Sequence, residues 1–227
     1  MKNINKVTLR CLDTGAVCQF ERRLTPEHAA AHAAPALQVA QLRRQLDQQA
    51  VSAVAREDML CAMLSEAKVY VPPTTYEMTV SMNCTGQFAG WPKDEPTAWE
   101  HRWHLACALD STRTAHLAKT DGCQLVPWAT VAKRLDLDGS PAHTACGRVS
   151  VFLPLLDERS GLPAQLNGLF EVDNVRRNLQ WAGKPWNPAL MAGPLAGAYV
   201  ELTRALAAKF QRLDTALSML PHSASQN

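Results

Sequence analysis

The 227-residue chain contains no CxxC, no HExxH, no GxSxG, no GxxxxGK[ST] and no GxGxxG. These absences exclude a zinc ribbon, a thioredoxin-type redox motif, a zincin, a serine-hydrolase elbow and the two common phosphate-binding loops. Charge of one sign is scarce too. The net charge is +2, and the basic doublets Arg22-Arg23, Arg43-Arg44, Lys133-Arg134 and Arg176-Arg177 lie far apart. A nucleic-acid binder would cluster them, so no nucleic-acid partner is expected. Long apolar runs are missing. "MKNINKVTLR" has no apolar core for a secretory signal, and "ALMAGPLAGAYVEL" is too short and too interrupted to span a bilayer. No membrane partner is expected, and the expected location is cytoplasmic. The seven cysteines are odd in number and scattered. They read as buried reduced thiols rather than a disulfide framework. No repeat and no Ser/Gly-rich linker occurs.

What is present is the composition of a folded domain, with 47% apolar and 19% charged residues. Val7, Leu9 and Cys11 alternate with polar neighbours, Asp13-Thr14-Gly15 marks a turn, and "AVCQFE" follows. This predicts a β-hairpin. Thr25-Pro26-Glu27 predicts a helix start, Pro35 an interruption, and Ala36 to about Met63 one or two helices. "YEMTVSMNC" and "WEHRWHLACAL" alternate as half-buried strands. Residues 110–146 read as irregular, with a short helix near Ala129–Leu135. "GRVSVFLPLL" reads as a strand ending at Pro154, and "AQLNGLFEVD" as its hairpin partner or neighbour in one sheet. Leu195, Tyr199, Leu202, Leu206, Phe210, Leu213, Leu217 and Leu220 form a helical stripe ended by Pro221. The expected class is α+β: a mostly antiparallel sheet with a helical insert and a long C-terminal amphipathic helix. The expected organisation is a single domain over 1–221, subdivided near 57–66 as an alternative, with a disordered tail at 222–227.

Chemistry-bearing candidates are few. His101 and His104 are three apart, which on a strand puts them on opposite faces and argues against a shared metal. Asp157-Glu158 and Asp136/Asp138 sit in turn-like sequence, where solvated acids are the ordinary outcome. Gly161, Gly168 and Gly183 are too widely spaced to cradle one phosphate. Trp91, Trp99, Trp103 and Trp128 belong to the core or to an apolar face for a partner protein. No metal, bound cofactor or catalytic residue is expected, and the chain is not expected to be an enzyme. The remaining feature is Arg176-Arg177, a pair of planar, permanently charged forks suited to phosphate or carboxylate. The plainer alternative pairs one of them with Glu171 or Asp173 while its stem covers Trp181.

The stretch "GRVSVFLPLLDERSGLPAQLNGLFEVDNVRRNLQW" resembles the large repeats of the sacsin family. The matching residues are Phe152 and Pro154 in the Phe-Leu-Pro-Leu run and Gly161, Leu162 and Pro163 in the turn. Asn167 and Gly168 in the next strand, the Arg176-Arg177 pair and Trp181 follow. Trp186, Asn187 and then Tyr199 continue the order. Leu156, Gln165 and Val175 depart from that pattern. The resemblance implies a segment downstream of a heat-shock-90-like ATPase module, in a chaperone or co-chaperone of protein quality control. It implies protein clients or chaperone partners, and ATP bound in a neighbouring module rather than here. Arg176 and Arg177 then become candidate phosphate-sensing residues. A stand-alone protein–protein interaction module is the alternative.

Overall fold

A computed structural model describes residues 5–47, 59–60, 62–64, 66, 68–86, 97–112, 114, 117, 125–143, 146–151, 153–211 and 213–221. Phe152, Trp91 and the tail at 222–227 lie outside these residues, as does much of the stretch around 57–66. Strands β1 (Lys6–Arg10), β2 (Val17–Arg23), β3 (Tyr70–Thr85), β4 (Ala98–Asp110) and β5 (Trp128–Leu135) form an antiparallel run. With β6 (Arg148–Val151), β7 (Leu153–Arg159) and β8 (Gln165–Gly168) they make one eight-stranded sheet, ordered β1-β2-β3-β4-β5-β8-β6-β7. The sheet is mixed, because β6 and β8 run parallel.

Three sequence expectations change here. Ala129–Leu135 is no helix: it is β5, flanked by β4 and β8. Its Ala, Lys, Arg and Leu favour a helix locally, but β4 pairs along its whole length and β8 along Ala129–Ala132, and this pairing overrides propensity. The strand ending expected at Pro154 is absent. Val151 and Leu153 pair antiparallel, and Pro154 lies inside β7, at the sheet edge where a missing N–H is tolerated. The partner of β6 across the hairpin is therefore β7, and β8 is its parallel neighbour. Asp157 and Glu158 accordingly belong to a strand, not a turn.

Helix α1 (Pro26–Asp47) opens with the Thr25 hydroxyl accepting the His28 N–H at 3.2 Å. It runs through Pro35 without ending. A proline forfeits one helical hydrogen bond, and good helix formers on both sides carry the helix past it. Val39 and Leu42 pack with Leu60, Leu64, Val71, Leu109 and Val126 on one face of the sheet. The opposite face presents Ala106, Ala108, Ala129 and Val131 to the C-terminal helices. Those are α2 (Trp186–Leu190), a π-helical turn at Met191–Leu195 kinked at Gly193, and α3 (Ala196–Phe210). Small residues on β4 and β5 let Ala198, Leu202 and Leu206 approach closely. The leucine stripe does not make one helix. Gln211, left-handed at φ 50°, ends α3, and α4 (Leu213–Leu217) follows as a separate turn. No helix of the described residues is long and apolar enough to cross a membrane.

The cysteines also differ from expectation. Cys18 and Cys84 face each other across β2 and β3 and are disulfide-bonded, with Cα atoms 4.1 Å apart. The Cys84 N–H donates to Thr97 on the β4 side, so the two residues form a non-hydrogen-bonded pair, the closer of the two antiparallel arrangements. Sequence spacing carries no sign of such a pairing, since it depends on strand register.

Candidate functional site

The residues of the 147–206 stretch converge on one device, a short hairpin held against the edge of the sheet. Gly161, at φ 67°, turns the chain after β7. Ser160 Oγ accepts the Leu162 N–H and lies within hydrogen-bonding distance of the Leu162 and Ala164 carbonyls. The buried Pro163 offers its carbonyl to Lys133 Nζ at 2.7 Å. Asn167 and Gly168 close β8. A side chain at Gly168 would meet Phe170, Leu190 and the Trp128 carbonyl at 3.1–3.3 Å, so the glycine is a packing requirement. Trp186 Nε1 donates to the Leu169 carbonyl at 2.7 Å. Asn187, fully buried, bonds Glu171 through both its amide groups and Gln180 through its NH2. The Tyr199 hydroxyl donates to the Met219 carbonyl and ties α3 to the end of the chain. Trp181 is half exposed.

The hairpin so anchored runs through an isolated bridge between Val172 and Leu179. A β-turn spans Asp173–Arg176, closed by the Arg176 N–H on the Asp173 carbonyl at 3.0 Å. The Asp173 carboxylate accepts the Arg177 N–H at 2.8 Å and the Asn178 amide at 3.2 Å, and the first of these chiefly holds it below the ordinary carboxylate range. Arg176 takes a left-handed φ of 56°, where glycine is the usual occupant and a larger residue pays about 1 kcal/mol. Its guanidinium donates to the Val151 carbonyl at 2.9 Å and meets no carboxylate among the described residues. Arg177 pairs with Asp157 at 3.0 Å, both half exposed. Glu171 pairs with Lys184 instead, and Asp173 serves the backbone, so neither is the acid that sequence proximity suggested. The arrangement offers one guanidinium bonded to a backbone carbonyl but to no carboxylate, and one held by a solvent-screened ion pair, side by side on an exposed turn.

Other candidates separate. His101 stacks on Trp99 at 4.7 Å between ring centroids, and His104 lies buried on the other face. Trp99, Trp103 and Trp128 are partly buried and pack against core clusters. Asp138 caps its own turn through Ser140. The sequence reading passed over a polar row beneath α3: Glu77, His104 and Lys133 are neighbours across β3, β4 and β5. His104 Nδ1 lies 3.2 Å from Glu77 Oε1, Lys209 reaches the same oxygen, and His104 Nε2 has no partner among the described residues. Burial pushes the Glu77 carboxyl up, but Lys209 and His104 outweigh it and leave it below the ordinary value. Burial pulls the Lys133 ammonium down to about 8. The one signal available was that Glu77 and His104 both fall on the wet face of alternating strands.

His104 carries a pH consequence. Burial disfavours its charged form, Lys209 and His28 add to that, and Glu77 opposes without prevailing. A basic group whose folded proton affinity is lowered stabilises the fold near neutrality, and this is lost as pH falls below the free value of about 6.5. Urea titrations between about pH 7 and 5 should therefore show a steeper loss in the wild type than in His104→Gln. Parallel losses in the two proteins refute this.

Human sacsin is similar to this chain, at 40% identity over 84 residues that cover 34% of the chain. The chain spans about 2% of the length of sacsin by that match. No protein-family profile and no solved structure matches the chain.

Proposed function

We propose that this chain is a non-catalytic segment of a sacsin-like chaperone or co-chaperone, acting in protein quality control beside a heat-shock-90-like ATPase module. The partial likeness to sacsin supports the context. The observation that carries the role is Arg176, held in a costly left-handed turn, with no carboxylate partner, next to Arg177. Strain kept at an exposed cation is the arrangement expected where the cation meets something outside the domain. In this reading Arg176 or Arg177 reaches the terminal phosphate of ATP in the neighbouring module. A guanidinium aimed at a transferring phosphoryl group neutralises charge that grows in the transition state. The protein itself binds no cofactor, and its partners are protein clients or chaperones. The reading places it in the cytoplasm.

A second reading, a stand-alone protein–protein interaction module, is favoured by a separate observation. The large apolar residues exposed near this edge are Leu153, Leu156, Val175 and Trp181, on β7 and the hairpin beside it. The two readings part in one experiment. The chain is joined to a heat-shock-90-like ATPase module and its ATP turnover measured. Arg176→Ala or Arg177→Ala, whichever removes the guanidinium that acts on phosphate, should lower turnover by at least about tenfold. Unchanged turnover in both variants removes the phosphate role and leaves the interaction module.

A further inference from the structure

Arg148 and Arg159 are direct cross-strand partners on β6 and β7. Residues so placed have Cβ atoms about 5 Å apart, and like charges there repel. Both are exposed, and no carboxylate pairs with either among the described residues. Two strands away, toward β5, a cavity of about 260 Å³ opens between Trp103, Arg134, His143, Pro163 and Gln165, with Lys133 at its inner wall. No acidic side chain lines it. Gln165 commits its amide oxygen to the Arg148 N–H at 2.9 Å, so toward a ligand it offers only N–H donors. Lys133 donates to the Pro163 carbonyl. Arg134, the cross-strand partner of Trp103, is exposed and unpaired with any acid among the described residues. The surface is thus a run of donors and cations across four strands, with an unrelieved repulsion at one end.

We propose that this cavity and the arginine pair beside it bind an extended acidic polypeptide segment. One carboxylate enters the cavity against Arg134 and Gln165, and a second lies between Arg148 and Arg159. Arg134 and Gln165 stand on β5 and β8 and the arginine pair on β6 and β7, so the two anion positions are about two strand spacings, roughly 9–10 Å, apart. Residues i and i+2 of an extended chain lie about 6.7 Å apart with both side chains on the same side, and glutamate side chains splayed outward cover the remainder. Acidic residues at alternate positions satisfy both. A nucleic acid fits less well. Its phosphates would match the cations, but a single-strand site needs aromatic platforms in series, and the cavity holds one tryptophan with Arg134 beside it. This site is separate from the Arg176-Arg177 hairpin and does not depend on the function proposed for it.

The test is fluorescence anisotropy on the full chain at low salt, with three labelled probes. They are a peptide alternating Glu and Thr, the same peptide with Gln for Glu, and an oligouridylate of equal charge. The Glu peptide should bind and the Gln peptide should not. Arg134→Gln, and separately the double variant Arg148→Gln/Arg159→Gln, should each weaken binding by about tenfold. Without ligand, the double variant should melt no lower than the wild type, because a repulsive pair has been removed. The proposal is overturned if neither peptide binds, if both bind alike, or if the variants bind the Glu peptide as the wild type does. Tighter binding of the oligouridylate than of the Glu peptide overturns it in favour of a nucleic-acid surface.

Discussion

Asn187→Ala is expected to lower the free energy of unfolding by about 2–5 kcal/mol. Asn187 is fully buried at the start of α2, yet its amide does not cap that helix. Its oxygen accepts the Glu171 N–H at 2.8 Å, and its NH2 donates to the Glu171 and Gln180 carbonyls, each at 2.8 Å. Alanine leaves the Glu171 N–H and the Gln180 carbonyl without this partner, while the Glu171 carbonyl keeps the Gln180 N–H at 3.0 Å. The cost is about 1–3 kcal/mol for each of the two groups that cannot be resolvated. Asn187→Asp should do no better, since it turns an acceptor toward two carbonyls. Urea unfolding reads the loss as a lower midpoint at unchanged slope. Hydrogen exchange should show the Glu171 amide losing protection. A loss under about 1 kcal/mol would mean that water replaces the side chain, and that the hairpin is held by something other than this residue.

Gly147→Ala is expected to cost at least about 3 kcal/mol, or to prevent folding altogether. A Cβ at this position would lie 1.8 Å from the Ala164 carbonyl oxygen, 2.3 Å from its carbon and 2.9 Å from the Gln165 nitrogen. All three are backbone atoms, so no rotamer change relieves the clash. The Gly147 N–H donates to the Leu162 carbonyl at 2.7 Å, and its own carbonyl accepts the Ser160 N–H at 3.0 Å. Moving residues 160–165 aside would break these bonds and withdraw the Pro163 carbonyl from Lys133. Gly161→Ala is the comparison. That position is left-handed, at φ 67°, but open, with nothing within 4 Å of the added carbon. It should cost about 1–2 kcal/mol, the steric penalty of the conformation alone. Equal melting temperatures for the two variants would show that the strand and the turn are not in close approach in solution.

Both predictions concern residues whose importance the chain displays only partly. Asn187 stands in the stretch that resembles sacsin repeats, so it was visible as a candidate. Nothing in its neighbours says that its partners are Glu171 and Gln180. Gly147 opens the same stretch but carries no turn signal, because its constraint is the proximity of a segment seventeen residues further on. The arginine pair shows the same division. A turn at Asp173-Asn174 is legible from residue type. That Arg177 meets Asp157 depends on β7 lying alongside the hairpin. The basic row at Arg134, Arg148 and Arg159 was invisible in sequence, where the three residues are scattered.

The sequence by itself determined the features that depend on near neighbours. These are the alternating faces of β3 and β4, the β1–β2 hairpin at Gly15, the Thr25 start of α1 and the Ser160–Pro163 turn. Each is a local choice of dihedral or a period of two, set by the residues within a few positions. Tertiary structure alone decided β5 over a helix, the parallel pairing of β6 with β8, the Cys18–Cys84 bond and the break in the leucine stripe at Gln211. Register and strand order bring together residues far apart along the chain. Their energies come from burial and from hydrogen bonds that exist only once the sheet has formed.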